Sequence, residues 1–314
     1  MDYPKAVRIR EVGPRDGIQS EKADVPTAKK VELLDALSKT GLRYIEAVSF
    51  VSPKAIPQMA DARLVWERMD RNPDVFYSAL VPNRKGAETA AEVGADGMQV
   101  FVAASEEYNL RNVKKPVRDS IADVAEVVAV GRAARIPVEG TLSNSFGSPY
   151  EGDVPADRVV EVARWIVETG ISCISFGDTT GMATPRRVRE VIDAVRSALP
   201  DLEINMHFHD TRGTGLANVL VALELGVDYF DSSIGGMGGS PYAVGATGNI
   251  STEDLVHMLD DMQIDTGVDL ASLIEAGRLT QTFIQGELPS KVLKAGPRLA
   301  GTAAGSTLGG AGVR

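Results

Sequence analysis

Cysteine is almost missing from this chain: Cys173 is the only one in 314 residues, so no internal disulfide is possible. That fits a reducing compartment, and the apolar run Ile171-Ser172-Cys173-Ile174 points to a buried structural thiol. No apolar run reaches membrane-spanning length, and the start, Met1-Asp2-Tyr3-Pro4-Lys5, does not resemble a signal peptide. A cytoplasmic location without a membrane partner is therefore expected. Basic residues are in deficit, 33 against 43 acidic, for a net charge of -10. Sequence-independent binding to nucleic acid, which needs clustered Lys and Arg, is disfavoured. An anionic small molecule is not, because a few local cations suffice. Histidine is scarce too, with three in all.

Apolar residues make up 44% and charged residues 24%, ordinary values for a folded globular chain. Short β-branched runs alternate with longer amphipathic segments from end to end. The runs are 7–12, 43–48, 75–81, 98–102, 138–142, 172–176, 204–209 and 227–232. Between them, helical spacing of apolar residues marks 27–40, 62–69, 84–93, 117–134, 156–169, 185–198, 216–225 and 252–262. Strand followed by helix, repeated without interruption, predicts a parallel TIM (β/α)8 barrel. An open doubly wound sheet would carry a Gly-rich phosphate turn after its first strand. Here that position reads Gly13-Pro14-Arg15-Asp16-Gly17, which is not one. The barrel is expected over 1–265, a C-terminal helical extension over 266–300 with a helix at 270–285, and a disordered tail over 301–314.

In a barrel the chemistry lies at the carboxyl ends of the strands. His207 and His209 stand two apart on the seventh strand, so both imidazoles face the same side. With Asp16 after the first strand they make a divalent-metal site; the bland reading is two hydrogen-bonded barrel histidines. His257 lies on a helix surface, away from the strand ends. Arg15 is a cation for a developing anion, or else the partner of an acid on the barrel rim. Glu46, alone among apolar neighbours in strand two, needs a partner, and Arg15 is the nearest candidate. Asp178 could orient a histidine, or touch metal or substrate. The glycine-rich stretch 235–248 lacks both the Walker lysine and the Rossmann spacing; it reads as a mobile loop that brings Ser240 to a substrate, or as an ordinary flexible connection. Arg111, Lys114 and Lys115 form a basic cluster after strand four, either solvated or meeting phosphates.

Taken together, Glu11-Val12-Gly13-Pro14-Arg15-Asp16-Gly17-Ile18-Gln19, Glu46 to Lys54, Gly177-Asp178-Thr179, His207-Phe208-His209-Asp210-Thr211, Gly235 to Tyr242, Gly248-Asn249 and Thr252 to Val256 resemble the hydroxymethylglutaryl-CoA lyases of the DRE-TIM metallolyase group. The resemblance runs in order from about residue 7 to 262. It implies a carbon–carbon lyase acting on 3-hydroxy-3-methylglutaryl-CoA or a related acyl-CoA thioester. It implies Mg²⁺ or Mn²⁺ on Asp16, His207, His209 and Asn249, and Arg15 at the enolate oxygen with Gln19 beside it in the substrate site. Glu46 and Asp178 would act in support, and a homodimer would be the assembly. Asp16 or a histidine could take the substrate proton. One departure stands out: the family's signature loop carries cysteine where this chain has Ser240. A serine hydroxyl is a far weaker acid than a thiol, so either the proton is relayed through water or the substrate differs, a citramalyl-CoA-like thioester being one option. Claisen-condensing relatives usually open Thr-Leu-Arg-Asp-Gly-Glu and carry further domains, whereas this chain has Gly-Pro-Arg-Asp-Gly-Ile-Gln and only about fifty residues after the barrel. A silent CoA- or metal-binding regulator is the non-enzymatic alternative.

Overall fold

Eight short runs rich in Ile, Val, Phe and Tyr become strands: β1 (Arg8–Glu11), β2 (Tyr44–Ser49), β3 (Phe76–Leu80), β4 (Gly97–Ala103), β5 (Val138–Ser143), β6 (Cys173–Gly177), β7 (Glu203–His207) and β8 (Tyr229–Ser232). The structure is a computed structural model, and it describes residues 3–239 and 248–299. Neighbouring strands pair in parallel in sequence order. β1 then meets β8 with Arg8 opposite Tyr229 and Glu11 opposite Ser232, so the barrel closes. Closure brings the loop after β1 beside the loops after β7 and β8, which are some two hundred residues away in sequence.

The outer helices are α1 (Thr27–Leu37), α2 (Ala62–Arg68), α3 (Arg84–Glu92), α4 (Glu106–Val113), α5 (Val117–Ala134), α6 (Ala156–Glu168), α7 (Pro185–Ala198), α8 (Gly215–Glu224), α9 (Thr252–Asp261), α10 (Leu270–Gln281) and α11 (Lys291–Ala295). α7 shows why they form. Thr184 caps it by accepting from the Arg187 amide, Pro185 opens it, and Val188, Val191, Ile192 and Val195 recur at three- and four-residue spacing on the buried face. No helix among the described residues is long and apolar enough to cross a membrane.

Three local expectations change. The segment after β4 is the helix α4, capped by Ser105, rather than a loop. Only Tyr108 and Asn109 of α4 are buried, too few to print a helical period on the sequence. Within it, Arg111 pairs with Glu107 at 2.6 Å, and beyond it Lys115 pairs with Asp123 at 2.5 Å, so two of the three cations in the basic cluster are paired locally. β7 ends at His207 rather than at His209. There the chain leaves the sheet, the Phe208 carbonyl accepts from Ile250 N at 3.0 Å, and His209 bridges antiparallel to Asn249. The helix expected over 270–285 stops at Gln281, with the short α11 after it. The expected tail, 301–314, lies outside the described residues.

Candidate metal centre

Asp16 sits on a tight helical turn, Gly13–Gly17, that starts directly at the end of β1. Pro14 sets its first turn, and the Asp16 amide returns to the Val12 carbonyl at 2.6 Å. The turn brings Asp16 to the end of β7. One ligand-type atom from each of Asp16, His207 and His209 lies within 4.8 Å of the others, and no other such cluster occurs among the described residues. The two imidazole Nε2 atoms are 3.3 Å apart. His207 Nδ1 lies 3.2 Å from Asp231 Oδ2. A carboxylate only accepts, which places a proton on Nδ1 and turns Nε2 toward His209.

Asn249 adjoins the group. Its Nδ2 donates to Asp16 Oδ2 at 2.7 Å and to the Met237 carbonyl at 3.0 Å. Its Oδ1 is buried and has no hydrogen-bond partner among the described residues. Two imidazoles and a carboxylate gathered within 4.8 Å, with a buried unpartnered amide oxygen on the adjoining Asn249, are a donor set that suits a divalent cation. Gly238 lets the loop after β8 close over it: its φ is +126°, and a Cβ there would stand 2.4 Å from Asn249 Nδ2 and 3.2 Å from Asp16 Oδ2.

Charges around the site follow from burial and contact. Burial by itself would raise the Asp16 carboxyl, but Arg15, then His207 and His209, outweigh it and hold Asp16 below the usual carboxylate range. Burial and the neighbouring His207 push His209 down to about 3, so it is neutral at physiological pH. Arg15 reaches Asp16 Oδ1 at 2.7 Å with Nη1 and Glu46 Oε1 at 2.8 Å with Nε, so the expected Arg15–Glu46 pairing is present. Glu46 lies within β2 rather than at its end. Gln19 stands half-buried one turn beyond Arg15.

Asp178, after β6, is 1% exposed, and burial raises it to about 7. Its Oδ1 accepts from the Ala183 amide at 2.9 Å, its amide donates to the His207 carbonyl at 2.8 Å, and it makes no hydrogen bond to either imidazole. The carboxylate against His207 is instead Asp231 on β8, which the sequence reading passed over. The available signal was a lone acid between Phe230 and Ser232, the same signal that marked Glu46. Ser240 lies outside the described residues. His257 is on α9, where Nε2 accepts from Arg298 N at 3.0 Å, far from this chemistry.

Glu11 and Glu253 were missed as well, and they tie the loops together. Glu11 accepts from the amides of Gly13 at 2.7 Å and Ile234 at 2.8 Å, and from Thr252 Oγ1 at 2.6 Å. Glu253 accepts from the Gly235 amide at 2.8 Å and Ser251 Oγ at 2.7 Å. Burial raises Glu11 to about 7 and Glu253 to about 8. A carboxyl whose folded value exceeds its unfolded value near 4.5 stabilises fully below 4.5, and that contribution is lost as pH rises through the folded value. Wild-type stability in urea is therefore expected to fall between pH 5 and 8 relative to Glu253→Gln, with a slope of up to about 1.4 kcal/mol per pH unit. Parallel curves for the two proteins would exclude Glu253 as the titrating group.

Residues 6–280 match the family model described as HMGL-like. The chain belongs to the HMGL-like family. It is 45% identical to the mitochondrial hydroxymethylglutaryl-CoA lyase of Gallus gallus over 95% of this chain and 100% of that protein. Its fold superposes on the crystal structure of the Bacillus subtilis HMG-CoA lyase with a TM-score of 0.91 at 44% identity, covering 94% of this chain and 99% of that one. An Acinetobacter baumannii HMG-CoA lyase, solved with coenzyme A and 3-methylmalate, gives 0.90 at 40% identity over 96% and 98% of the two chains. Family membership spans the barrel and α10, so every element that positions Asp16, His207, His209 and Asn249 falls inside the match.

Proposed function

We propose that this chain is a metal-dependent carbon–carbon lyase that splits 3-hydroxy-3-methylglutaryl-CoA into acetoacetate and acetyl-CoA. The observation that carries the reading is the meeting of Asp16, His207 and His209 beside Arg15, in a chain 45% identical to a lyase of that name over nearly its full length. The donor set is oxygen and imidazole nitrogen, which suits Mg²⁺ or Mn²⁺ held by Asp16, His207, His209 and Asn249. When bound, such an ion supplies Lewis acidity to a chelated hydroxyl and carboxylate.

The residues divide the remaining work. Cleavage removes the hydroxyl proton, turns the C3–O bond into a carbonyl and breaks the C2–C3 bond, leaving its electron pair on C2 as a thioester enolate. Arg15 is the fixed cation for that enolate oxygen. Glu46 and Asp16 hold its guanidinium from two sides, so no reorganisation is needed as charge develops. Gln19 lines the same mouth as a polar contact for the substrate. Asp178, held near neutrality and backed by the Ala183 amide, supports the His207–His209 segment. Asp16, with a second carboxylate oxygen beside the one an ion would take, is the acceptor available for the hydroxyl proton; His209, pushed down to about 3 and facing the ion site through Nε2, is a poor one. Ser240, in place of the family's cysteine, delivers a proton to C2 through water. The chain works as a homodimer in this reading, and sedimentation at the 33.4 kDa monomer mass would remove that part.

Mass-spectrometric detection of products from 3-hydroxy-3-methylglutaryl-CoA and citramalyl-CoA tests the substrate. Acetoacetate from the first at the higher rate is expected, and cleavage of the second alone would overturn the assignment. On the true substrate, Ser240→Cys is expected to raise turnover about tenfold or more, within the range general acid catalysis spans. An unchanged rate would mean that position 240 moves no proton.

A further inference from the structure

The interior of this barrel is charged just beneath the metal centre, where barrel cores are ordinarily filled by branched apolar side chains. Arg10, on β1, is 2% exposed. Its Nε and Nη2 meet the two oxygens of Asp231 at 2.9 and 3.0 Å, and its Nη1 meets Glu139 on β5 at 2.6 Å. Asp231 Oδ1 also accepts from Asn205 Nδ2 at 2.8 Å, and Oδ2 from Ser175 Oγ at 3.0 Å. Side chains from three other strands thus hold one carboxylate, and its remaining approach is to His207 Nδ1 at 3.2 Å. A buried ion pair is expensive to desolvate, and an apolar filling is often as stable or more so. Stability alone therefore gives no reason for the cluster. Direction does: β1 carries Arg10 and leads into the turn that holds Asp16, and β7 carries Asn205 two residues before His207, so the clamp precedes the site along both chain segments.

We propose that Asp231, clamped by Arg10, is the positioning residue of the metal centre: it keeps His207 in the Nδ1–H form and aims Nε2 at the ion. The role rests on the reading that Asp16, His207 and His209 hold a divalent cation. An imidazole with its proton on Nε2 has no lone pair to offer there. An imidazole free to rotate loses the 3.3 Å approach to His209 Nε2. Arg10 contributes by fixing both Asp231 oxygens in one plane, so that the acceptor cannot swing away from the ring.

The first measurement is the tautomer itself, in the Mg²⁺-loaded protein labelled with ¹⁵N-histidine. With only three histidines, His207 is assigned by comparison with His207→Gln. A proton on Nδ1 is expected; a proton on Nε2 would overturn the proposal. The second measurement is Mn²⁺ binding, followed by the loss of the free-ion paramagnetic resonance signal. Asp231→Ala is expected to raise the dissociation constant 10- to 100-fold, and Asp231→Asn, which keeps an acceptor oxygen for the ring, to raise it less. A folded Asp231→Ala protein binding within twofold of wild type sinks the idea. Should Asp231→Ala not fold, Ser175→Ala, which removes one of the bonds locating Oδ2, is expected to weaken binding in the same direction, and no change there counts against the role. Wild-type protein that binds no Mn²⁺ removes the ion, and with it the role of Asp231. Normal binding with the wrong tautomer removes Asp231 alone.

Discussion

Arg15→Gln is expected to lower turnover about a thousandfold while leaving the Michaelis constant nearly unchanged, the upper end of what removing one preorganised donor from a developing oxyanion costs. The cation matters most when the C2–C3 bond is breaking, because only then does the thioester oxygen carry charge. The substitution has a second effect that must be separated. Glu46 is 1% exposed, and Arg15 is its ion-pair partner at 2.8 Å. Removing one member of a buried pair destabilises by about 3–5 kcal/mol. Arg15→Gln combined with Glu46→Gln removes the Glu46 charge that the single variant strands, leaving only Asp16 without its cation, so the double variant should recover part of the stability and none of the turnover. Stopped assays on both proteins, beside urea denaturation, separate the two effects. A double variant within tenfold of wild-type activity would show that Arg15 serves the fold and not the reaction.

Exhaustive chelation should reduce turnover to background, and Mn²⁺ or Mg²⁺ should restore it. His209→Ala should weaken Mn²⁺ binding by more than the 10- to 100-fold typical of an outer-shell change, because its Nε2 faces His207 Nε2 directly at 3.3 Å. Stability offers a readout independent of catalysis. An ion at a hundred times its dissociation constant adds about 2.7 kcal/mol to a folded state that alone binds it. Wild type should gain that in Mn²⁺, while His209→Ala at the same concentration should gain little. Full activity in EDTA-treated protein would end the metal reading, whatever the structure brings together.

Much of this was legible in the residues. The barrel followed from eight apolar runs alternating with amphipathic segments, and α5 and α7 begin and end where periodicity places them. Asp16, His207 and His209 were visible because strand-end chemistry in a barrel is confined to one face, while Asn249 came only from the family resemblance. What escaped were groups whose importance lies in whom they touch. Asp231, Arg10, Glu11 and Glu253 are charged residues that look misplaced until their partners are known. Those partners include Asp231 for Arg10 and Ile234 for Glu11, each more than two hundred positions away. α4 escaped because most of its surface is solvated and carries no period.

The sequence by itself determined the barrel, the face on which its chemistry sits and the donor atoms offered there, because periodicity and residue type are local properties. The tertiary structure alone decided the register in which β1 meets β8, that His209 leaves the sheet to bridge Asn249, and that Asp231 rather than Asp178 meets the His207 ring. Those outcomes depend on strand register and on how a closing cylinder shares out its hydrogen bonds. No stretch of residues carries that information on its own.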